Sequence, residues 1–205
     1  MEIGFFSYNT DYGLRPDILA KALEEREFGS LWVGEHTHIP AKRETPFPGG
    51  IELPRPYYHM MDPMVSLAIA ASVTRNLRVG TGISLVVQHD PIVLAKSIST
   101  LDHLSNGRFE LGIGGGWLKE EMENHGFPFS KRWKLLRERI EAVKEIWGND
   151  QATYSGEFVN FENIISNPKP IQKPHPPILM GGATKNSLKR VARYCDGWMP
   201  IDALL

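Results

Sequence analysis

Strand-like and helix-like segments alternate along this chain, and glycines or charged residues follow the strands; no other feature narrows the fold as far. Residues 3–7 (Ile-Gly-Phe-Phe-Ser) read as a short buried strand. Residues 16–28 carry Ile18, Leu19, Ala22 and Leu23 at helical spacing before Gly29 stops them. A second strand over 30–34 ends at Glu35-His36, and an apolar helix over 62–74 precedes a third strand at 77–86. Residues 91–104 form the returning helix, Gly107 ends it, and 109–114 give the fourth strand. The longest helix spans 130–147, with Trp133, Leu136, Ile140, Val143 and Trp147 on one core-facing stripe. Residues 154–177 are irregular with a hairpin around Gly156, a fifth strand covers 177–180, a helix 184–194, and 196–200 open a sixth strand.

Such alternation calls for a parallel sheet with helices outside it, and right-handed crossovers leave an open doubly wound sheet or a barrel. The barrel fits better, because the glycine and charged positions all follow strands, where an α/β barrel gathers its site on one face. A complete barrel takes about eight units in ~250 residues, whereas the 205 residues here supply six. The predicted fold is therefore an α/β, TIM (β/α)8-type barrel shortened after six strands. One domain covers 1–205, with the C-terminal strands missing or replaced.

A content of 41% hydrophobic and 23% charged residues suits one substantial core. The formal net charge of −1 gives no footprint for nucleic acid or an anionic membrane. Cys195 is the only cysteine, which excludes an intrachain disulfide and a cysteine-based metal site and fits a reducing cytoplasm. It reads as a buried structural thiol. No run approaches the ~18–20 apolar residues of a membrane span, and no metal site is expected.

Three places carry chemistry. The fourth strand runs Arg108-Phe109-Glu110-Leu111-Gly112-Ile113 into Gly114-Gly115-Gly116-Trp117. Successive glycines let backbone approach a planar or phosphorylated group, although a tight strand-to-helix turn fits equally. Residues 39–58, rich in Pro and Gly, are too long for an ordinary connection and read as a functional loop or lid. Gly181-Gly182-Ala183-Thr184 leads into a helix N-terminus whose free N–H groups suit a phosphate, and Lys185 and Asn186 could add to it.

Trp32-Val33-Gly34-Glu35-His36, Arg78 to Ile83, Leu101 to Arg108, Gly112 to Trp117, Pro168-Lys169-Pro170, Pro176-Pro177-Ile178, Gly181-Gly182 and Asp196-Gly197-Trp198 together resemble the bacterial luciferase-like monooxygenase superfamily. More narrowly, they are similar to its coenzyme F420 (deazaflavin) dependent oxidoreductase branch. The resemblance implies cofactor contacts from Glu35, His36, Thr81, Gly82, Ile83, Gly114, Gly115, Gly116, Trp117, Gly181, Gly182, Ala183 and Thr184. It implies that His36 is catalytic, giving a hydrogen bond or proton to the reduced ring, as an imidazole titrating near neutral pH can. Glu35 would hold the ring or tune its neighbour. It also implies a non-proline cis bond at Gly82-Ile83 behind the central ring, a cofactor phosphate at Gly181-Gly182, and a homodimer.

Asp102, Ser105, Gly107 and Arg108 are read as structural, with an Asp102–Arg108 ion pair tying down the turn; Asp196 and Gly197 are read likewise. Glu120 and Glu121 fit a solvated helix start or a cofactor contact, and His38 faces solvent. In deazaflavin-dependent sugar-phosphate dehydrogenases of this kind, a glutamate acid or base follows the glycine turn, where this chain has Trp117. A tryptophan cannot accept a proton, which argues against sugar-phosphate oxidation. The function implied is hydride transfer between bound F420 and a small organic substrate. An FMN-dependent monooxygenase and a non-catalytic flavin-binding barrel are the alternatives.

Overall fold

The structure is a computed structural model and describes residues 2–50 and 52–201. Position 51, inside the predicted lid, and positions 1 and 202–205 of the expected domain lie outside the described residues.

Six parallel strands form one sheet in the order β1 (Gly4–Ser7), β2 (Ser30–Val33), β3 (Arg78–Thr81), β4 (Phe109–Ile113), β7 (Ile178–Gly181) and β8 (Gly197–Met199). The remaining two strands, β5 (Ala152–Ser155) and β6 (Asn160–Ile164), make the antiparallel hairpin expected around Gly156. Each parallel strand neighbours the next one in the chain, with no reversal of order. A doubly wound sheet reverses at its switch point, so this is the winding of a barrel, curled and left open.

Local chemistry sets the helices. Helix α1 (Pro16–Glu24) starts on a proline, whose fixed φ suits the first turn. Helices α2 (Pro63–Ser72) and α3 (Pro91–Leu104) combine that with a carboxylate cap: Asp62 accepts from Val65 N, and Asp90 from Ile92 N and Val93 N. A short α4 (Lys119–Asn124) follows β4, α5 (Arg132–Gly148) is the longest helix, and α6 (Lys185–Tyr194) is capped by Thr184. No helix among the described residues is long and apolar enough to cross a membrane.

Phe109, Leu111 and Ile113 of β4 are fully buried under Ile98 of α3 and Leu135, Leu136 and Ile140 of α5. Trp133, at the α5 end of the expected stripe, is only partly buried, while Trp147 at the other end donates its indole N–H to Ala95 O.

Three expectations are corrected. β1 is not buried: Gly4, Phe5 and Phe6 are exposed, because β1 is a sheet edge paired only with β2. The third strand ends at Thr81 rather than at 86, since the chain turns at Gly82 and enters a short 3-10 turn over Val86–Gln88. Asp102 and Arg108 form no ion pair. Asp102, fully buried, accepts from Ile171 N at 2.7 Å, Gln172 N at 3.0 Å and Gln172 Nε2 at 2.7 Å, pinning the chain before β7. Arg108 instead donates to the carbonyls of Ala71 in the last turn of α2 and of Thr74 and Leu77 beyond it, where a cation is favoured. Both remain structural.

Candidate functional site

The C-terminal ends of β2, β3, β4 and β7 meet around Ile83. The Gly82–Ile83 peptide bond is cis, and Ser84 then forms a parallel bridge with Ile113. The Ile83 side chain fills the space that neighbouring glycines leave. A Cβ on Gly114 would stand 2.3 Å from Ile83 Cδ1, and one on Gly181 would stand 2.9 Å from Ile83 Cγ2. Gly115 makes room for Trp133 in the same way, at 3.0 Å. Only Gly116, with φ of +70°, needs glycine for its backbone conformation. The room attributed to a ligand at Gly114 and Gly115 is thus taken by the protein's own side chains.

Two more expected cofactor contacts are likewise committed to the protein. Thr81 is fully buried and its hydroxyl donates to Gly112 O at 2.7 Å. Glu35 accepts from the Ser84 hydroxyl at 2.8 Å, from Leu85 N at 2.6 Å and from the His89 ring at 2.6 Å. Burial alone would raise the Glu35 carboxyl, but His89, Leu85 and Ser84 outweigh it and hold it below the usual range. Burial alone would lower His89, and the Glu35 carboxylate reverses that too. Glu35 therefore anchors the turn that carries Ile83 rather than tuning His36.

His36 is tuned from elsewhere. Its Nδ1 lies 2.7 Å from Glu121 Oε2, with side chains only 6% and 1% exposed. A carboxylate can only accept, so Nδ1 carries the proton, and Nε2 has no protein partner among the described residues. Glu121 Oε1 accepts from Thr37 N at 3.0 Å, which fixes the carboxylate. The solvated helix start expected for Glu120 and Glu121 is overturned: Glu121 is buried on His36, and Glu120 Oε1 accepts from Glu44 N at 2.7 Å and Thr45 N at 2.9 Å. Slight burial would raise Glu120, but the Thr45 side chain and these N–H groups bring it down to about 2.

Residues 39–50 and 52–58 lie against the same end. Tyr57 and Trp117 stand 5.3 and 5.8 Å from the His36 ring, and Phe47 contacts both of them at 5.3 and 5.7 Å. This wall excludes water from one side of the imidazole. Burial and contact with Tyr8 push the Tyr57 phenol up to about 12, so it stays a neutral donor. His38 is half-buried rather than solvated, its ring nitrogens at 3.0 Å from Thr37 Oγ1 and 3.0 Å from Asn124 Nδ2.

At the far side, β7 runs through Gly181 into Gly182, whose φ is +104°, then Ala183 and Thr184. Thr184 accepts from Ser187 N, while the N–H groups of Lys185 and Asn186 make no hydrogen bond to the described protein. Lys189, Arg190 and Arg193 continue along α6 toward Trp133, whose ring Arg190 covers at 3.7 Å. Burial pushes the Cys195 thiol up to about 12, as befits an inert structural cysteine. No group of three or more His, Cys, Asp or Glu among the described residues could hold a metal ion.

The imidazole–carboxylate pair and the unbonded helix N-terminus thus lie on the C-terminal face, where α/β barrels gather their active sites. The sequence matches the luciferase-like monooxygenase family over residues 18–204, and the chain belongs to that family of enzymes. An uncharacterised protein of Mycobacterium tuberculosis is 44% identical over 203 residues, 97% of this chain and 72% of the relative. The FMNH(2)-dependent dimethylsulfone monooxygenase of Pseudomonas putida is 33% identical over 109 residues, 52% of this chain and 30% of that protein. Among solved structures, the monooxygenase RslO1 from Streptomyces bottropensis superposes with a TM-score of 0.78 at 27% identity, covering 94% of this chain and 57% of that one. The coenzyme F420 dependent tetrahydromethanopterin reductase from Methanopyrus kandleri gives 0.76 at 22% identity, covering 97% and 55%. The chain thus spans little more than half the length of these two structures. A relative named for FMNH(2) and a structure named for coenzyme F420 are both among the matches, so the comparisons give the family and not its F420 branch.

Sequence reasoning brought His36, the cis bond, Trp117 and the loop to one end of the sheet, and the structure places them there. It missed Thr37 and His89, and it singled out Glu121 without pairing it with His36.

Proposed function

We propose that the C-terminal strand ends take a flavin-type cofactor and that the protein is a two-electron oxidoreductase acting on a small organic molecule. The carrying observation is His36, held at Nδ1 by Glu121 and left without a protein partner at Nε2. The residues present fit such a group. The unbonded N–H groups at the start of α6, with Gly182, Ala183 and Thr184, would hold its phosphate. Gly82 and Ile83, supported from behind by Thr81, Glu35 and the glycines 114–116 and 181, would back its ring, and His36 and Trp117 would flank it.

Such a group supplies hydride from its reduced ring, and reduced FMN also passes electrons to oxygen. The protein's part is to orient the ring, to exclude water with Phe47, Tyr57 and Trp117, and to hold or take a proton at His36 Nε2. An FMN-dependent monooxygenase is the first reading, supported by the 33% identity over 109 residues to an FMNH(2)-dependent enzyme. Hydride transfer with F420 is the second. A homodimer belongs to this reading, supported by the exposed Val65, Ile69 and Val93 on α2 and α3. So does a cytoplasmic setting, supported by the single unpaired Cys195.

Titration with FMN and with F420, each oxidised and reduced, tests the reading through tryptophan quenching and cofactor absorbance. Saturable 1:1 binding of FMN tighter than F420 is expected. Tighter F420 binding would favour the second reading, and no binding of either by folded protein would overturn both.

A further inference from the structure

The hydrogen bonds around Glu121 do not end at His36. Thr37 follows His36 directly, and its Oγ1 lies 3.4 Å from Glu121 Oε1. The same hydroxyl is 2.9 Å from His125 Nε2 and 3.0 Å from His38 Nδ1. His125 stands just beyond α4, which carries Glu121, and is half-buried, while Thr37 is exposed. A line of titratable groups and one hydroxyl therefore runs from an imidazole that is 6% exposed, through a carboxylate that is 1% exposed, to the protein surface. The carboxylate is already held at both oxygens, by His36 Nδ1 and by Thr37 N, without the Thr37 hydroxyl.

We propose that Glu121, Thr37 and His125 form a proton path between His36 and solvent. The proposal rests on the reading of His36 as the group that exchanges a proton with the bound substrate or cofactor. A proton taken up at His36 Nε2 makes the ring cationic, and the Nδ1–H bond breaks as Glu121 Oε2 gains that proton. The carboxyl turns over about its terminal torsion, which is soft and twofold, and presents its O–H to Thr37. Thr37 Oγ1 accepts that proton while its own goes to His125 Nε2, and His125 releases one to water. One proton enters at His36 and one leaves at His125. Glu121 is again a carboxylate and Thr37 again a hydroxyl. His36 is left neutral with its proton on Nε2, ready to run the path in reverse.

Gln88 Oε1, at 3.2 Å, competes as an acceptor for the Thr37 hydroxyl. His38 gives the hydroxyl a second imidazole, itself tied to Asn124 Nδ2. The charged groups bearing on His125 are His38, Glu121, His89 and Glu35.

The test needs no cofactor. In protein labelled with 15N-histidine, the exchange of the His36 ring proton with water is followed by magnetisation transfer in the wild type, Thr37→Val and His125→Ala. A path predicts slowing of about tenfold or more in both variants, with free imidazole restoring the rate in His125→Ala but not in Thr37→Val. A merely structural cage predicts unchanged or faster exchange and no rescue, and that result would overturn the proposal. Thr37→Ser, which keeps the hydroxyl, is expected to exchange as the wild type does. Failure of cofactor binding, with the path intact by this measurement, would count against the proposed function alone.

Discussion

His36 and Glu121 lie 85 positions apart in the chain and 2.7 Å apart in the fold. β2 delivers the imidazole and the first turn of α4 delivers the carboxylate. The pair fixes which ring nitrogen is bonded to protein and which faces outward. Glu121→Gln keeps an acceptor for Thr37 N but cannot relay a proton or balance a cationic His36. Turnover with the preferred cofactor is expected to fall about 100-fold, the usual scale for losing positioned acid–base help. Steady-state kinetics beside a circular dichroism melt check this, and an unchanged turnover number would refute the role.

The Glu35–His89 pair predicts a pH dependence of stability. His89 is raised in the folded protein, so its contribution is full below the unfolded value of about 6.5 and is lost as pH rises through the folded value. Glu35 is lowered, so its contribution is present above about 4.3 and is lost as pH falls through the folded value. His89→Gln should therefore cost most near pH 6 and distinctly less at pH 9. A cost on the order of 1.5 kcal/mol is expected at the optimum, the low end for a charged hydrogen bond because the ring is partly exposed. Urea unfolding of both proteins across pH 5 to 9 measures the difference, and a flat difference would contradict the pairing.

Gly112 and Gly114 predict opposite outcomes for the same substitution. A Cβ on Gly112 would sit 2.0 Å from the backbone oxygen of Thr81, which cannot move without breaking the β3–β4 pairing. Gly112→Ala should destabilise by about 3 kcal/mol, the upper range for overpacking. At Gly114 the clash is with the far end of Ile83, a side chain that can turn. Gly114→Ala should cost about 1 kcal/mol in stability while weakening cofactor binding markedly. Denaturant titration and cofactor titration of the two variants separate the effects.

Asp102 predicts a purely structural defect. Asp102→Ala strips the acceptor from Ile171 N, Gln172 N and Gln172 Nε2 at a fully buried site. A loss of about 3 kcal/mol follows from donors left unpaired. Thermal melts should show it, with hydrogen exchange rising first around residues 171–172.

Much of this fold was legible because the determinants are local. Proline starts, Asp62 and Asp90 caps and the apolar runs of β4 and α3 each sit within a few residues of what they specify. The loop could be placed because proline and glycine mark it, whereas the cis bond at Gly82-Ile83 came from the family resemblance and not from local chemistry. The exposure of β1 was not legible, since Phe5 and Phe6 read the same whether a strand is central or at an edge. The glycines at 114 and 115 are ambiguous for a physical reason: glycine records that something comes close, and Ile83 and Trp133 do so here. Glu121 was hidden because Lys-Glu-Glu-Met-Glu-Asn has the composition of a solvated helix, and burial came from a partner 85 positions away.

The central claim is that a flavin-type cofactor sits at the C-terminal strand ends, and hydrogen exchange read by mass spectrometry with and without FMN tests it most directly. New protection is expected in peptides spanning 82–86, 114–117 and 182–187, and none along the opposite ends of the strands. Protection confined to other segments, or its absence at saturating FMN and F420, would contradict the claim.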